Sequence, residues 1–273
     1  MNNLNIVKVS CCSANERADK DEIIKFLLKN PNIEVGACFM REKLELYSPR
    51  YNWIMSVVKE LPSTGSGKLT LHVGGDWARD IVKTGKLPRA MANIVDKANY
   101  PIQVQLNIAD RGRTYIEETD PNKFAKLISS NAEQNKARFT LQYYSTSAPF
   151  IEDLLKVTDN FDVLYDGSFG HGKQAAQYQS LFPNQLQGYA GGLSPDNIAD
   201  ELSKINALQT IRVPIWVDAE GKLSDEKRNT IDLDKAQKFI DNAFNWQATA
   251  QKTGKNSSNQ PAKAQKTTEP PAR

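Results

Sequence analysis

Apolar residues recur along this chain in short bursts, each closed by a glycine, a proline or a polar residue, and most are followed by a segment whose apolar positions return at helical spacing. The bursts fall at Ile6–Ser10, Ile33–Phe39, Leu69–Val73, Ile102–Asn107, Phe139–Tyr143, Phe161–Asp166, Leu186–Ala190 and Pro214–Asp218. Their β-branched and aromatic content predicts eight strands. Helical spacing follows at Asp21–Lys29, through Ile23, Ile24, Phe26, Leu27 and Leu28, at Pro121–Glu133, at Pro195–Ile205, and at Asp232–Trp246, through Leu233, Ala236, Phe239, Ile240 and Phe244. Asp120 before Pro121, and Ser194 before Pro195, are helix start signals, because proline at the first helical position lacks only an amide that has no partner there. Eight strand-then-helix units predict an α/β protein of the (β/α)8 TIM-barrel class, a parallel sheet closed on itself.

Strand parity carries the first chemistry. In the fourth burst Ile102, Val104 and Leu106 share one face while Gln103, Gln105 and Asn107 share the other, since side chains alternate with period two. With the apolar face against the helices, the polar face lines the barrel. The same parity turns Ser10, His72, Gln142, Asp166 and Asp218 inward near the C-terminal ends of their strands, where barrel enzymes assemble their sites. The plainer alternative is that these groups satisfy one another through hydrogen bonds and buried water.

Composition narrows the picture without adding chemistry. The 273 residues are 40% hydrophobic, enough for one barrel domain over 1–248. From Thr249 onward Lys, Gln, Asn, Ser, Thr and Pro displace large apolar residues, so 249–273 reads as a disordered polar tail. The net charge of +3 and pI near 8.6 come from basic residues scattered among nearly as many acids, which argues against nucleic acid as a partner. No apolar stretch is long enough for a membrane span, and the N-terminus lacks the pattern of a signal peptide. Cys11, Cys12 and Cys38 make neither a disulfide framework nor zinc-type C-x-x-C spacing, so reduced thiols and a cytoplasmic location are expected. Oligomeric state is not legible here.

Two segments point to a ligand. Phe161-Asp-Val-Leu-Tyr-Asp166-Gly-Ser-Phe-Gly170-His-Gly172-Lys173 and Gly188-Tyr-Ala-Gly191-Gly192-Leu-Ser194-Pro195-Asp-Asn197 each run from an apolar strand into a glycine-rich turn whose backbone amides can hold an anion. A carboxylate and two such loops at consecutive strand ends predict a site for a phosphorylated small molecule.

At these residues the chain resembles phosphoribosylanthranilate isomerase. The Asp166–Lys173 segment is similar to that family's sixth strand and loop, Ala190–Asn197 to its seventh-strand phosphate loop, Ser48-Pro49-Arg50-Tyr51 to its second-loop arginine motif, Val104-Gln105-Leu106 to its fourth strand, and Val217-Asp218-Ala-Glu-Gly221 to a shortened eighth loop. The similarity in order and spacing touches most of residues 5 to 245, and the seventh loop is its most specific part. It implies an Amadori rearrangement of an N-linked ribose phosphate, of the tryptophan-biosynthesis type, which needs an acid, a base and a phosphate anchor and neither metal nor organic cofactor.

By resemblance Asp166 is the general acid, with loop capping as its structural alternative. The family's base is a cysteine two residues after a lysine. Here Ser10 follows Lys8 by two, and Cys11 and Cys12 come next; a regular strand points Ser10 and Cys12 inward and Cys11 toward the helices while a bulge reverses that choice, so both thiols remain candidates, each with the alternative of a small buried hydrophobe. Gly191 and Gly192 are expected to bind phosphate, and Gly170 and Gly172 to cover the sugar. Lys8, Asn107 and Asp218 are expected to contact substrate, and Arg50 to grip its carboxylate or else lie on the surface. Glu220 stands where the family places serine and repels a phosphate unless Lys222 or Lys173 pairs with it. The third strand and loop, Leu71-His72-Val73-Gly74-Gly75, also depart from the family. His72 is there an added base, an anion contact, or a satisfied core histidine. Two histidines, His72 and His171, make no metal site without a third ligand. The alternatives in function are a divergent barrel acting on another phosphorylated molecule and a silent barrel that only binds.

Overall fold

The computed structural model describes residues 3–39, 44–108, 119–168, 173–179, 182, 185–227 and 229–257, with side chains as far as residue 250. Eight parallel strands close into a barrel in chain order: β1 (Leu4–Ala14), β2 (Ile33–Phe39), β3 (Lys68–Gly74), β4 (Ile102–Asn107), β5 (Ala137–Tyr143), β6 (Asp162–Asp166), β7 (Gln187–Ala190) and β8 (Val213–Ala219). The chain is a (β/α)8 TIM barrel. A two-stranded ribbon, β9 (Ser224–Asp225) with β10 (Thr230–Ile231), decorates the loop after β8.

The helices are α1 (Lys20–Lys29), α2 (Pro49–Glu60), α3 (Gly75–Thr84), α4 (Arg89–Lys97), α5 (Pro121–Glu133), α6 (Ala148–Leu155), α7 (Ile198–Ala207) and α8 (Leu233–Ser257). Two of them, α3 and α4, share the β3–β4 connection, while the described residues between β6 and β7 form none. Capping explains several starts. Asp19 accepts from the amides of Asp21 and Glu22, and Ser48 from that of Tyr51 just after Pro49. Helix α7 starts three residues later than Pro195, because the Asn197 side chain is spent on the preceding turn, accepting from Ser194 N and donating to Gly192 O. In α1, Ile23, Ile24, Phe26 and Leu27 are buried whereas Leu28 turns outward, half exposed. The last helix runs past residue 248, where composition changes, to Ser257; residues 258–273 lie outside the described part.

The main core lies between barrel wall and helices and takes the outward pleat of each strand, such as Val9, Val35, Leu71, Val104, Phe139, Val163 and Val217. The barrel interior is unusually polar for a fold whose inward layers are commonly branched aliphatics. Near the N-terminal end Arg138 donates to Asp162 at 3.2 Å and the Gln103 amide to Thr140. Above them Lys8 pairs with Glu34 at 2.9 Å and lies 4.4 Å over the Trp216 ring, which packs with Leu164, Ala190 and Leu186 in a small apolar cluster of its own. Polar groups dominate again at the C-terminal end. This burial pattern agrees with the period-two reading of Ser10, His72, Gln103, Gln105, Gln142, Asp166 and Asp218, all of which are buried.

Strand β1 departs from regular alternation twice. Its pairing with β8 slips between Ile6 and Lys8, and its pairing with β2 slips between Cys11 and Ala14, where Ser13 adopts φ 85°. The first slip puts Ile6 with the outer core and Lys8 inside; the second lies between Cys11 and Ala14, and Cys12 faces inward with Ser10, toward Asp218 at the mouth. No helix among the described residues is long and apolar enough to cross a membrane.

Candidate active site at the C-terminal mouth

A cavity of about 370 Å³ opens at the C-terminal end of the barrel between the tips of β5, β6, β7 and β8. It is lined by Gln142, Asp166, Ser168, the turn Ala190–Leu193, and the run Asp218–Lys222. The acidic end of the sixth strand and the paired glycines after the seventh therefore share one rim. Their approach is close: a Cβ placed on Gly191 would lie 3.3 Å from Asp166 Oδ1 and 3.2 Å from Ser168 N. Gly191 and Gly192 have φ of 109° and 64°, and a Cβ on Gly192 would meet the backbone of Lys173 and Gln174 at 2.5–2.8 Å. Only glycine allows both that turn and that contact.

Asp166 accepts hydrogen bonds on Oδ1 from Ser168 N at 2.9 Å and Ser168 Oγ at 2.7 Å, so the loop-capping role and a place on the cavity wall coexist in one side chain. Gly170, His171 and Gly172 lie outside the described residues.

The first strand resolves the two thiols. Cys11 points into the outer core, where burial and then Asp218 push its thiol well above the usual range. Cys12 points to the mouth: its Sγ lies 2.9 Å from Asp218 Oδ1, 3.1 Å from His72 Nδ1 and 3.7 Å from Ser10 Oγ. Burial, a hydrogen bond with Cys38 and the charges of Asp218 and Glu220 hold the Cys12 thiol well above its ordinary value. A thiol so placed keeps its proton and is a donor to Asp218. His72 is pulled down by burial, which outweighs the opposing pull of Asp218, so the ring is neutral at physiological pH. Gln105 Nε2 lies 3.1 Å from the same Nδ1.

Glu220 projects over the mouth. Burial, Asp218 and Asp166 raise its carboxyl to about 7, while a hydrogen bond with Cys38 opposes the rise; solvent that reaches the side chain through the open cavity screens part of this effect. Lys222 follows it on the cavity wall.

Three residues expected to contact substrate are placed elsewhere. Arg50 forms a two-pronged pair with Glu16, Nε to Oε2 at 2.5 Å and Nη2 to Oε1 at 3.2 Å, and donates to Cys38 O, so its fork grips a carboxylate of this chain and does not line the cavity. Lys8 stands level with Trp216, a full pleat below Ser10 and Asp218, and is committed to Glu34. Asn107 accepts from Tyr144 Oη at 2.8 Å, the same hydroxyl that reaches Gln142 at 2.5 Å, and is likewise not on the cavity wall. Asp218 is on it.

Sequence reading missed Glu201, a fully buried carboxylate on α7 that accepts from Tyr178 Oη at 2.8 Å, Gln174 Nε2 at 2.5 Å and Lys204 Nζ at 2.8 Å. It ties the segment after β6 to the helix after β7. The one available signal was a charged residue on the apolar stripe of α7, beside Leu202 and Ile205.

Neither a protein-family model nor a curated protein sequence matches the chain. Among solved structures it is similar to 2-keto-3-deoxy-6-phospho-gluconate aldolase from Zymomonas mobilis, with 14% identity, TM-score 0.45, and coverage of 87% of this chain and 92% of that one. It is also similar to a citrate lyase from Burkholderia xenovorans, with 9% identity, TM-score 0.47, and coverage of 92% and 94%. A third is phospho-2-dehydro-3-deoxyheptonate aldolase from Thermotoga maritima, with 11% identity, TM-score 0.45, and coverage of 93% and 71%. At such values no activity passes from them to this chain.

Proposed function

We propose that the mouth binds a small phosphorylated substrate and isomerises it by proton transfer, in the manner of phosphoribosylanthranilate isomerase, with Asp166 as the acid. The observation that carries this reading is the shared rim: the Asp166 carboxyl and the Gly191–Gly192 turn wall one cavity, so a group anchored on the turn presents its sugar to the carboxyl. Ser168 orients Asp166 through two hydrogen bonds, and Asp218 and Glu220 line the same cavity and offer carboxylates for the complementary transfer. The sequence likeness in the sixth and seventh loops supports the same substrate class. With Arg50 engaged by Glu16 and the Cys12 thiol held protonated, recognition of the aromatic carboxylate and the identity of the base both depart from that family's pattern. A second reading, turnover of a different sugar phosphate, is favoured by Glu220 beside the glycine turn.

The test is to mix purified full-length chain with freshly made phosphoribosylanthranilate and follow its fluorescence, beside Asp166→Asn. Wild type is expected to quench the signal and the variant to lose the activity while keeping its fold. If wild type and variant behave alike, the assignment fails. Turnover of another sugar phosphate, lost in Glu220→Gln, selects the second reading.

A further inference from the structure

Beside the mouth cavity three donor atoms of three elements converge: Cys12 Sγ from β1, a ring nitrogen of His72 from β3, and a carboxylate oxygen of Asp218 from β8, all within 4.8 Å of one another. The three side chains are buried: His72 is paired with strands on both sides, Asp218 is paired with Ser10 of β1, and Cys12 directly follows the last residue of β1 that pairs with β8.

We propose that Cys12, His72 and Asp218 form a binding site for one thiophilic divalent cation of the zinc class. A thiolate, an imidazole and a carboxylate are a donor set that zinc takes in sites with three protein ligands, where the fourth position stays open. Asp218 lies on the wall of the mouth cavity, so an entry path and an open side coincide. The chain also clears space for the cluster: a Cβ on Gly36 of β2 would stand 2.8 Å from His72 Nε2 and 2.9 Å from Cys12 Sγ. The slip of β1 after Cys11 places Cys12 above the sheet pairing, where its sulfur reaches both partners.

Charge favours the same occupant. The cavity is lined by Asp166, Asp218 and Glu220, and Lys222 is the one cation among its described lining residues. Lys8, the next cation down the barrel, is paired with Glu34. Carboxylates gathered in a half-enclosed site are stabilised by a cation, and a bound ion also lessens the repulsion that Glu220 exerts on a phosphorylated ligand.

The arrangement is not that of an activated cysteine nucleophile. There the carboxylate orients the imidazole, and the imidazole takes the proton from sulfur. Here the carboxylate reaches the sulfur itself, at 2.9 Å, while the Gln105 amide lies at the imidazole. Mutual proximity of all three donors is what a shared ion requires.

The inference does not depend on the proposed isomerisation, and its test reads binding, not turnover. The full chain, stripped by a chelator, is titrated with Zn²⁺ in a calorimeter and with Co²⁺ in a spectrophotometer. Expected are one ion per chain, release of about one proton per ion as the thiol ionises, and a sulfur-to-cobalt charge-transfer band. Cys12→Ser should remove that band, and Cys12→Ser, His72→Gln and Asp218→Asn should each weaken Zn²⁺ binding by roughly 100-fold or more, beyond the usual effect of groups that only support a ligand. Cys11→Ser, one residue away but facing the outer core, should bind as wild type does. Circular dichroism checks each fold, and if Cys12→Ser does not fold, the wild-type cobalt spectrum and proton count decide. Absence of stoichiometric uptake, a cobalt spectrum without the sulfur band, or folded Cys12→Ser with unchanged affinity overturns the proposal.

Discussion

Replacing Gly192 by alanine probes the contact that builds the mouth, and Gly65 provides its control. Both glycines are left-handed, with φ of 64° and 75°. A Cβ on Gly65 meets nothing within 4 Å, whereas one on Gly192 meets Gln174 N at 2.5 Å and Lys173 C at 2.6 Å. The left-handed conformation costs an L-residue about 1–2 kcal/mol, partly offset by about 0.4–1 kcal/mol from the stiffer unfolded chain. Gly65→Ala should thus lose about 0.5–1 kcal/mol on these two effects. In Gly192→Ala the clash is with backbone, which cannot swing aside as a side chain can, and overpacking adds about 1–3 kcal/mol. The sum is about 1.5–4 kcal/mol, or a melting temperature lower by roughly 3–16 °C at about 2–4 °C per kcal/mol for a chain of this size. Thermal and urea unfolding followed by circular dichroism measures both variants on one scale. If Gly192→Ala proves no more destabilising than Gly65→Ala, the segment after β6 does not rest on the β7 turn and the shared rim is wrong.

Two further measurements bear on the same architecture. Glu201→Leu should cost about 2–3 kcal/mol, because Tyr178 and Gln174 lose their buried acceptor, and limited proteolysis should then cut first within 173–179; unchanged stability and cleavage would show that this carboxylate does not anchor the segment. For Glu16, burial pushes the carboxyl up but the Arg50 fork outweighs it and holds it below its ordinary value. A depressed carboxyl contributes stability above its unfolded titration range and loses it as pH falls through the folded value. Relative to Glu16→Gln, wild type should therefore lead by about 0.5–1 kcal/mol near neutral pH, with the lead fading below about pH 4.3. A lead that grows on acidification contradicts the pairing.

Periodicity alone carried most of the fold. Alternation of polar and apolar residues is a local property of a strand, so the inward Gln103 and Gln105 and the outward Val104 and Leu106 were legible without knowing which strands are neighbours. The Gly191–Gly192 turn was legible for the same reason, since φ is a property of one residue. Local rules failed where β1 slips: Ile6 and Lys8 have the same parity in the sequence yet lie on opposite sides of the barrel wall, because an irregularity depends on the partner strands. Between Cys11 and Cys12 regular alternation held, with Cys12 inward beside Ser10 and Cys11 in the outer core, but a bulge there would have reversed it, so the choice needed the strand's actual course.

What the amino-acid order determined by itself is the closed parallel barrel, the polar interior and the pair of loops that meet at one end. Tertiary structure decided which charges found each other. Arg50, legible as a grip for a ligand's carboxylate, is taken by Glu16, 34 positions away, and Cys12, His72 and Asp218, spread over 206 residues, become neighbours. The reason is physical: side-chain alternation and turn geometry are set within a few bonds, whereas a charge pair or a ligand cluster exists only after the sheet has closed and brought distant strand ends to the same rim.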